Sequence, residues 1–248
     1  MKLQMKNSKI LKDVFAGVSE IIDEVLIECD GEGLTLKSLS RDHTTFVELV
    51  LKSSLFDDYE CPLPESFGID TVTLDSILKR CKNNEALELE LGTVLIVRIN
   101  GTRNKKFEIG LIDLEECEVP NHSQLKFPLE ITVPTNVLND SIRDIDSILK
   151  DDTLPCKIVL FSIENNHLIL KGNDRFVDIT DEIIHNVDVD DEIESLFTLG
   201  HVKNILISSR LAKECILRLG NHMPLEVIFN IGDGSFVKYL LAPRLEVD

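Results

Sequence analysis

An internal duplication constrains this chain more than any other feature of its sequence. Residues 73–92 align without a gap on residues 201–220, at an offset of 128 residues. Both segments start with a short helical pattern, pass through a polar break, and end in an alternating strand that stops at Gly92 or Gly220. A repeat of this length indicates two copies of one structural unit.

The flanking elements repeat in the same order. Apolar residues recur at helical spacing over 8–24 and again over 135–150, so an amphipathic helix is predicted in each copy. Alternating strands follow, and each copy ends in two strands joined at Asn100-Gly101 or Asp233-Gly234, dipeptides that favour hairpin turns. Chance similarity between amphipathic elements is the alternative, but several elements in one order favour duplication.

The repeated pattern of helix, strands, helix and strands predicts an α+β fold. We expect two duplicated modules, each with two helices packed on antiparallel sheets. The modules are predicted over 1–112 and 128–248. The connector between them, 113–127, has no clear periodicity and contains Pro120, which cannot donate a hydrogen bond to a strand ladder.

The charge distribution predicts a weakly basic surface on an acidic protein. The chain has 44 acidic and 26 basic residues, a net charge of −18, and this alone argues against nucleic-acid binding. Yet two of the four helical segments are net basic and the first is mildly so. For any single helix, a solvated face is the simpler interpretation. If the helices share one side, that side would contact phosphates without reading bases. The cations on these segments are Lys9, Lys12, Lys79, Arg80, Lys82, Arg143, Lys203 and Arg210.

The sequence lacks motifs for catalysis and for nucleotide, metal or cofactor binding. It contains no GxxxxGK[ST], HExxH or GxSxG, and no GxGxxG that opens a helix. Its six cysteines include no CxxC pair, and its histidines do not pair at ligand spacing. We therefore expect no cofactor and no metal. We also expect reduced thiols in a cytoplasmic protein, because residues 1–12 lack the apolar region of a signal peptide. No apolar run approaches the roughly 18 residues that cross a membrane.

Three segments resemble the DNA sliding clamps of archaea and eukaryotes, the proliferating cell nuclear antigen family. They are 107–120 (FEIGLIDLEECEVP), 219–229 (LGNHMPLEVIF) and 237–245 (VKYLLAPRL), with weaker support from 36–51 and 68–82. The last segment, which is similar to the C-terminal LAP[KR] of the family, is the most specific. The likeness runs in order along nearly the whole chain.

The resemblance implies the DNA clamp fold, a closed trimeric ring of six similar modules with helices lining the hole. It implies a non-catalytic processivity factor that encircles double-stranded DNA of any sequence and tethers DNA polymerase. The further partners that it implies are a clamp-loader ATPase, flap endonuclease, DNA ligase and other copies of the chain in a homotrimer. The location that it implies is the cytoplasm of an archaeal-type cell.

The resemblance also implies two sets of protein contacts. A docking pocket for partner peptides would use, by position, Leu39, His43, Phe46, Val119, Pro120, Pro224, Leu241, Ala242 and Pro243. Subunits would join through edge strands at 105–109 and 175–180, with apolar contacts from Phe107, Ile109, Phe176 and Ile179. For the pocket residues, ordinary core packing is the alternative.

Two other functions stay open at this stage. One is an accessory or checkpoint-type clamp subunit that acts only in a heterotrimeric ring, because its edge strands would look alike in sequence. The other is an enzyme with an acid pair that no motif reveals, since such partners can lie far apart in the chain.

Overall fold

The computed structural model describes residues 1–82, 85–115, 125–149, 157–164, 167–172, 175–179 and 193–244, and only the backbone of 175–179. The chain divides into two compact units. Unit 1 comprises Met1–Pro120 and Asn230–Val237, and unit 2 comprises Asn121–Phe229 and Lys238–Asp248. Most of the predicted connector, residues 116–124, lies outside the described residues, so the predicted module boundaries stay a prediction.

Unit 1 packs two helices with antiparallel strands. Its elements are β1 (Lys2–Met5), α1 (Lys9–Val18), β2 (Glu24–Asp30), β3 (Gly33–Leu39), β4 (Thr45–Lys52), β5 (Asp58–Glu60), β6 (Glu65–Asp70), α2 (Thr71–Leu78), β7 (Ala86–Leu91), β8 (Val94–Asn100) and β9 (Lys105–Gly110). The strands lie in the orders β5-β1-β7-β8-β9 and β4-β3-β2-β6.

Unit 2 has the same plan. Its elements are β10 (Leu129–Pro134), α3 (Thr135–Ile148), β11 (Ile158–Glu164), β12 (His167–Gly172), β13 (Arg175–Ile179), β14 (Ile193–Thr198), α4 (Leu199–Ile205), β15 (Glu214–Leu219), β16 (Leu225–Gly232) and β17 (Ser235–Leu241). The strand orders are β10-β15-β16-β17 and β13-β12-β11-β14. The tip of the β16–β17 hairpin groups with unit 1.

The predicted duplication is confirmed element by element. Helices α2 and α4 begin at Thr71 and Leu199, 128 positions apart, and β7 and β15 begin and end at the same spacing. The two strand orders of unit 1 repeat in unit 2, apart from β5, which only unit 1 adds among the described residues. The predicted α+β fold of two duplicated modules is therefore correct.

The helices are held by the apolar faces that the periodicity predicted. Helix α1 buries Leu11, Val14 and Phe15, and α3 buries Leu138, Ile142 and Ile145. The side chain of Asp70 caps α2 by accepting a hydrogen bond of 2.8 Å from the Thr73 N–H. Burial of these apolar faces supplies most of the stability of helices this short.

Two local predictions need correction. The first helix was predicted to reach residue 24, but α1 ends at Val18. Its apolar pattern continues because a turn beyond the helix still buries Ile22, whose N–H bonds to the Val18 carbonyl. The Asn100-Gly101 pair forms no two-residue turn, since β8 ends at Asn100 and β9 starts at Lys105. Asp233 and Gly234, with φ of 50° and 78°, do form one.

Candidate nucleic-acid and partner interfaces

In unit 1, the predicted DNA-facing cations of α1 are Lys9 and Lys12. The Lys9 ammonium lies 2.5 Å from a carboxylate oxygen of Asp13, one turn along the helix. The Lys12 ammonium donates a hydrogen bond of 2.7 Å to the Cys81 carbonyl. Lys12 therefore ties α1 to the turn that follows α2.

The other three cations of unit 1 follow α2. The helix ends at Leu78, so Lys79, Arg80 and Lys82 lie on the exposed turn beyond it. Cations at this end complement the negative end of the helix dipole. Lys79 reaches back 2.5 Å to a carboxylate oxygen of Asp75.

Glu85 fixes the turn after α2. The Lys82 N–H donates to its carboxylate at 2.9 Å. This backbone hydrogen bond, aided by Lys105, lowers the pKa of Glu85. On the α1 side, the Ser8 hydroxyl donates to the Lys82 carbonyl. The structure thus brings the cations of α1 and those of residues 79–82 to one region of unit 1.

Unit 2 carries Arg143 on α3, Lys203 on α4 and Arg210 at the end of the following 3-10 helix. Arg143 is exposed and lies 3.5 Å from Asp140, also exposed, a pair worth little in water. The Lys203 ammonium lies 2.6 Å from Asp146 of α3. The hydrogen bond from Lys203, together with one from Lys157, lowers the pKa of Asp146.

Three of the predicted pocket residues lie on the β3–β4 hairpin of unit 1. Leu39 and Phe46 are directly opposite in the ladder, Leu39 half-buried and Phe46 buried. His43 is exposed at the loop tip with φ of 57°. The Ser40 hydroxyl accepts from the Thr45 N–H at 2.9 Å, which fixes the loop shape. Phe46 is a core residue as well as a pocket candidate.

Four more pocket candidates lie in unit 2. Leu241 is buried at the end of β17, Ala242 is exposed, and Pro224 and Pro243 are half-buried. The Arg244 N–H donates to the Leu196 carbonyl at 2.7 Å, so the chain is held to β14 just beyond these residues. The remaining candidates, Val119 and Pro120, lie outside the described residues.

The predicted interface strands are edge strands of their sheets, β9 in unit 1 and β13 in unit 2. On β9, Phe107 is half-buried and Ile109 is already buried within its own unit. On β13 the backbone register places Phe176 opposite Lys171 and Ile179 opposite Leu168. Edge strands present unpaired N–H and C=O groups, which another chain can pair with.

No group of three or more His, Cys, Asp or Glu within the described ranges could hold a metal ion. Nor is any described helix long and apolar enough to span a membrane. The four cysteines that the structure describes are free and buried. Burial raises the pKa of Cys29 and that of Cys215 to about 12, so these thiols stay protonated and unreactive.

Sequence reasoning noted the acids among these cations but did not predict which acid pairs with which lysine. The spacing of Lys9 from Asp13 and of Asp75 from Lys79 is a visible signal, because residues four apart on a helix are neighbours. Asp146 and Lys203 are 57 positions apart and come together only through the packing of α3 with α4. No local pattern predicts that pair.

Comparisons with known proteins identify one family. The model of "Proliferating cell nuclear antigen, N-terminal domain" matches residues 1–116. A DNA polymerase sliding clamp of Methanobrevibacter smithii is 36% identical over 100% of this chain and 99% of its own length. One from Methanothermobacter thermautotrophicus is 34% identical with the same coverage. The crystal structure of the PCNA2-PCNA3 complex from Sulfolobus tokodaii matches 98% of this chain and 99% of its own, with a TM-score of 0.87 at 22% identity.

Proposed function

The chain belongs to the proliferating cell nuclear antigen family of DNA polymerase sliding clamps, and we propose that it encircles duplex DNA as a ring and tethers DNA polymerase to it. As a member of this family it is a non-catalytic processivity factor. The observation that carries the proposal is the 36% identity over the full length of the chain. The duplicated α+β unit and the cations on its helices support it.

We assign the DNA contact to the eight cations that lie on or beside the helices of the two units, from Lys9 to Arg210. The five cations of unit 1 and the three of unit 2 all lie on or beside helices. Contacts of this kind bind phosphates regardless of sequence. Their modest number suits loose contact, since affinity and its salt dependence scale with the phosphates engaged.

We assign ring closure to β9 of one protomer pairing with β13 of the next. A contact within unit 1 supports this, because the Lys52 N–H at the end of β4 donates to the Ser235 hydroxyl at the start of β17 at 2.9 Å. In the duplication, β4 corresponds to β13 and β17 corresponds to β9. Phe107 and Phe176 would add apolar contact, with smaller contributions from Ile109 and Ile179.

The solution mass tests this assembly. Size exclusion with light scattering over a dilution series should give a mass near three times 28.0 kDa, and the mass should persist on dilution. A monomer at every concentration would contradict the homotrimer and favour the accessory subunit of a heterotrimeric ring. Replacing Phe107 by Asp should shift the mass towards 28.0 kDa, because a charge would be buried in the strand contact.

We assign partner docking to Ala242, which is exposed, and Pro243, which is half-buried, together with the Leu39–Phe46 hairpin and Val119-Pro120. DNA polymerase, flap endonuclease, DNA ligase and a clamp-loader ATPase would dock through short apolar peptides. The loader would supply ATP-driven opening, because this sequence has no P-loop of its own. The cytoplasm is the proposed location.

A charge placed at the docking segment tests this assignment. Ala242→Arg should weaken binding of a peptide taken from the polymerase of the same cell by about tenfold or more, since an apolar peptide would meet a charge. Gly31→Arg is the matched control, because a Cβ added at Gly31 would meet no atom within 4 Å. Equal peptide affinity in both variants would contradict the docking assignment.

A further inference from the structure

Several of the predicted DNA-facing cations have a carboxylate at ion-pair distance. Lys9 is paired with Asp13, Lys79 with Asp75, and Lys203 with Asp146, each at 2.5 or 2.6 Å. A lysine that already faces a carboxylate attracts a phosphate less than an isolated lysine does. The described acids therefore reduce the charge that this surface offers to DNA.

One of these acids contacts two lysines. The Asp146 carboxylate lies 2.6 Å from the ammonium of Lys203 and 3.1 Å from that of Lys157. The three residues, which we term the Asp146 triad, come from α3, from the residue before β11 and from α4. Asp146 is 31% exposed, so the triad is only partly screened by water.

The triad stays charged at neutral pH. Its lysines lower the pKa of Asp146, first through the hydrogen bond from Lys203. The triad then carries a net charge of one positive unit, where the two lysines alone would carry two. A phosphate would have to compete with the carboxylate for each ammonium group.

We propose that Asp146 limits the affinity of this protein for DNA by holding Lys157 and Lys203, so that the ring remains free to slide. The inference rests on the proposed function, because it needs DNA to contact the helix side of unit 2. It assigns Asp146 a positioning role and no direct contact with DNA. The other acids are less informative. Asp75 is buried with an unbonded oxygen among the described atoms, and Asp140 pairs with Arg143 only at the exposed surface.

The test compares Asp146→Asn with Glu164→Gln in the full-length chain. Both changes remove one negative charge from unit 2, and both acids are about equally exposed, at 31% and 30%. The pKa of Glu164 is likewise lowered by a lysine, Lys171, but Glu164 lies on strand β11. The measurement is the Kd for a labelled duplex of random sequence, by fluorescence anisotropy, over a range of salt concentrations.

Asp146→Asn should bind the duplex about three- to tenfold more tightly and steepen the salt dependence, by about 0.9 for each added phosphate contact. Glu164→Gln should match the wild type. The double variant Asp146→Asn/Lys203→Ala should lose the gain, which a general effect of net charge or stability would not explain. Urea unfolding of each variant checks that the fold is intact.

Two outcomes overturn the inference in distinguishable ways. If the wild type binds the duplex with the expected salt dependence and Asp146→Asn binds no more tightly than Glu164→Gln, the affinity-limiting role is wrong and the clamp function stands. If neither the wild type nor any variant associates with DNA, the inference and the DNA-encircling function fail together.

Discussion

Unit 1 carries five predicted DNA-facing cations on α1 and just beyond α2, and two of the five face aspartates. Unit 2 carries three, and two of the three face aspartates of α3. The apolar residues of the two units do not diverge in this way. Helices α2 and α4 begin 128 positions apart, and both bury their apolar face. The comparison shows that duplication has kept the packing pattern, which the fold requires, while surface charge has changed between the copies.

The largest expected effect is on the free energy of unfolding, and it tests whether the two units share one packing pattern. Leu78 and Leu206 occupy equivalent positions and are 0% and 3% exposed. Replacing either with Ala should lower the free energy of unfolding by about 3 kcal/mol, through lost burial and the cavity left behind. Urea unfolding followed by circular dichroism measures this. A loss in one variant and none in the other would show that the two cores are not equivalent.

The next effect is on duplex binding, and it tests whether the two units differ in the charge that they offer to DNA. The triple variant K79A/R80A/K82A should weaken duplex binding by about tenfold, and R143A/K203A/R210A by about threefold. The reason is that two of the three unit 2 cations face aspartates, whereas in the unit 1 set the aspartate pair among the described residues is that of Lys79. Anisotropy titrations at one salt concentration measure both. Equal losses would mean that the acids of α3 do not affect DNA contact.

A smaller contrast concerns the turn of the last hairpin in each copy, which is 101–104 between β8 and β9 and Asp233-Gly234 between β16 and β17. Gly234 has φ of 78°, and an added Cβ would meet only Lys52 atoms at 3.8 Å or beyond, so Gly234→Ala should cost about 1 kcal/mol from backbone strain alone. In the matching turn none of residues 101–104 has a positive φ. Thermal unfolding measures the cost. Gly31→Ala, in open space without a positive φ, should be nearly neutral.

The smallest effect concerns pH. The pKa of Asp146 is lowered in the folded state, so its pairing stabilises the protein above the ordinary carboxyl pKa. That stability is lost as pH falls through the folded pKa, below about pH 4. The wild type should therefore lose about 0.5 kcal/mol more than Asp146→Asn between pH 5 and pH 3, since pairs this exposed contribute little. Identical acid-unfolding profiles would contradict the pairing.

Most of the fold followed from periodicity, and the exceptions have physical causes. The apolar pattern could not locate the end of α1, because the turn after Val18 still buries Ile22. The Asn100-Gly101 signal predicted the hairpin, but the loop extends over 101–104. Turn chemistry alone does not set loop length.

Less of the site could be predicted. Helical spacing placed Lys9 and Lys12 away from the apolar face, and Lys9 is exposed while Lys12 is half-buried. The Asp146 triad could not be predicted, because it depends on how α3 packs against α4 and the start of β11. The pocket residues were assigned only by resemblance, since apolar core and apolar pocket have the same sequence pattern.

The most direct test of the central claim is a threading measurement on linear duplex DNA with biotin at both ends. Without a clamp loader, a closed ring can enter only over a free end. The protein should be retained through a high-salt wash when streptavidin blocks the ends after mixing, and lost when streptavidin is added first. Retention that does not depend on the order of addition would show that the chain binds the side of the duplex, and would contradict an encircling clamp.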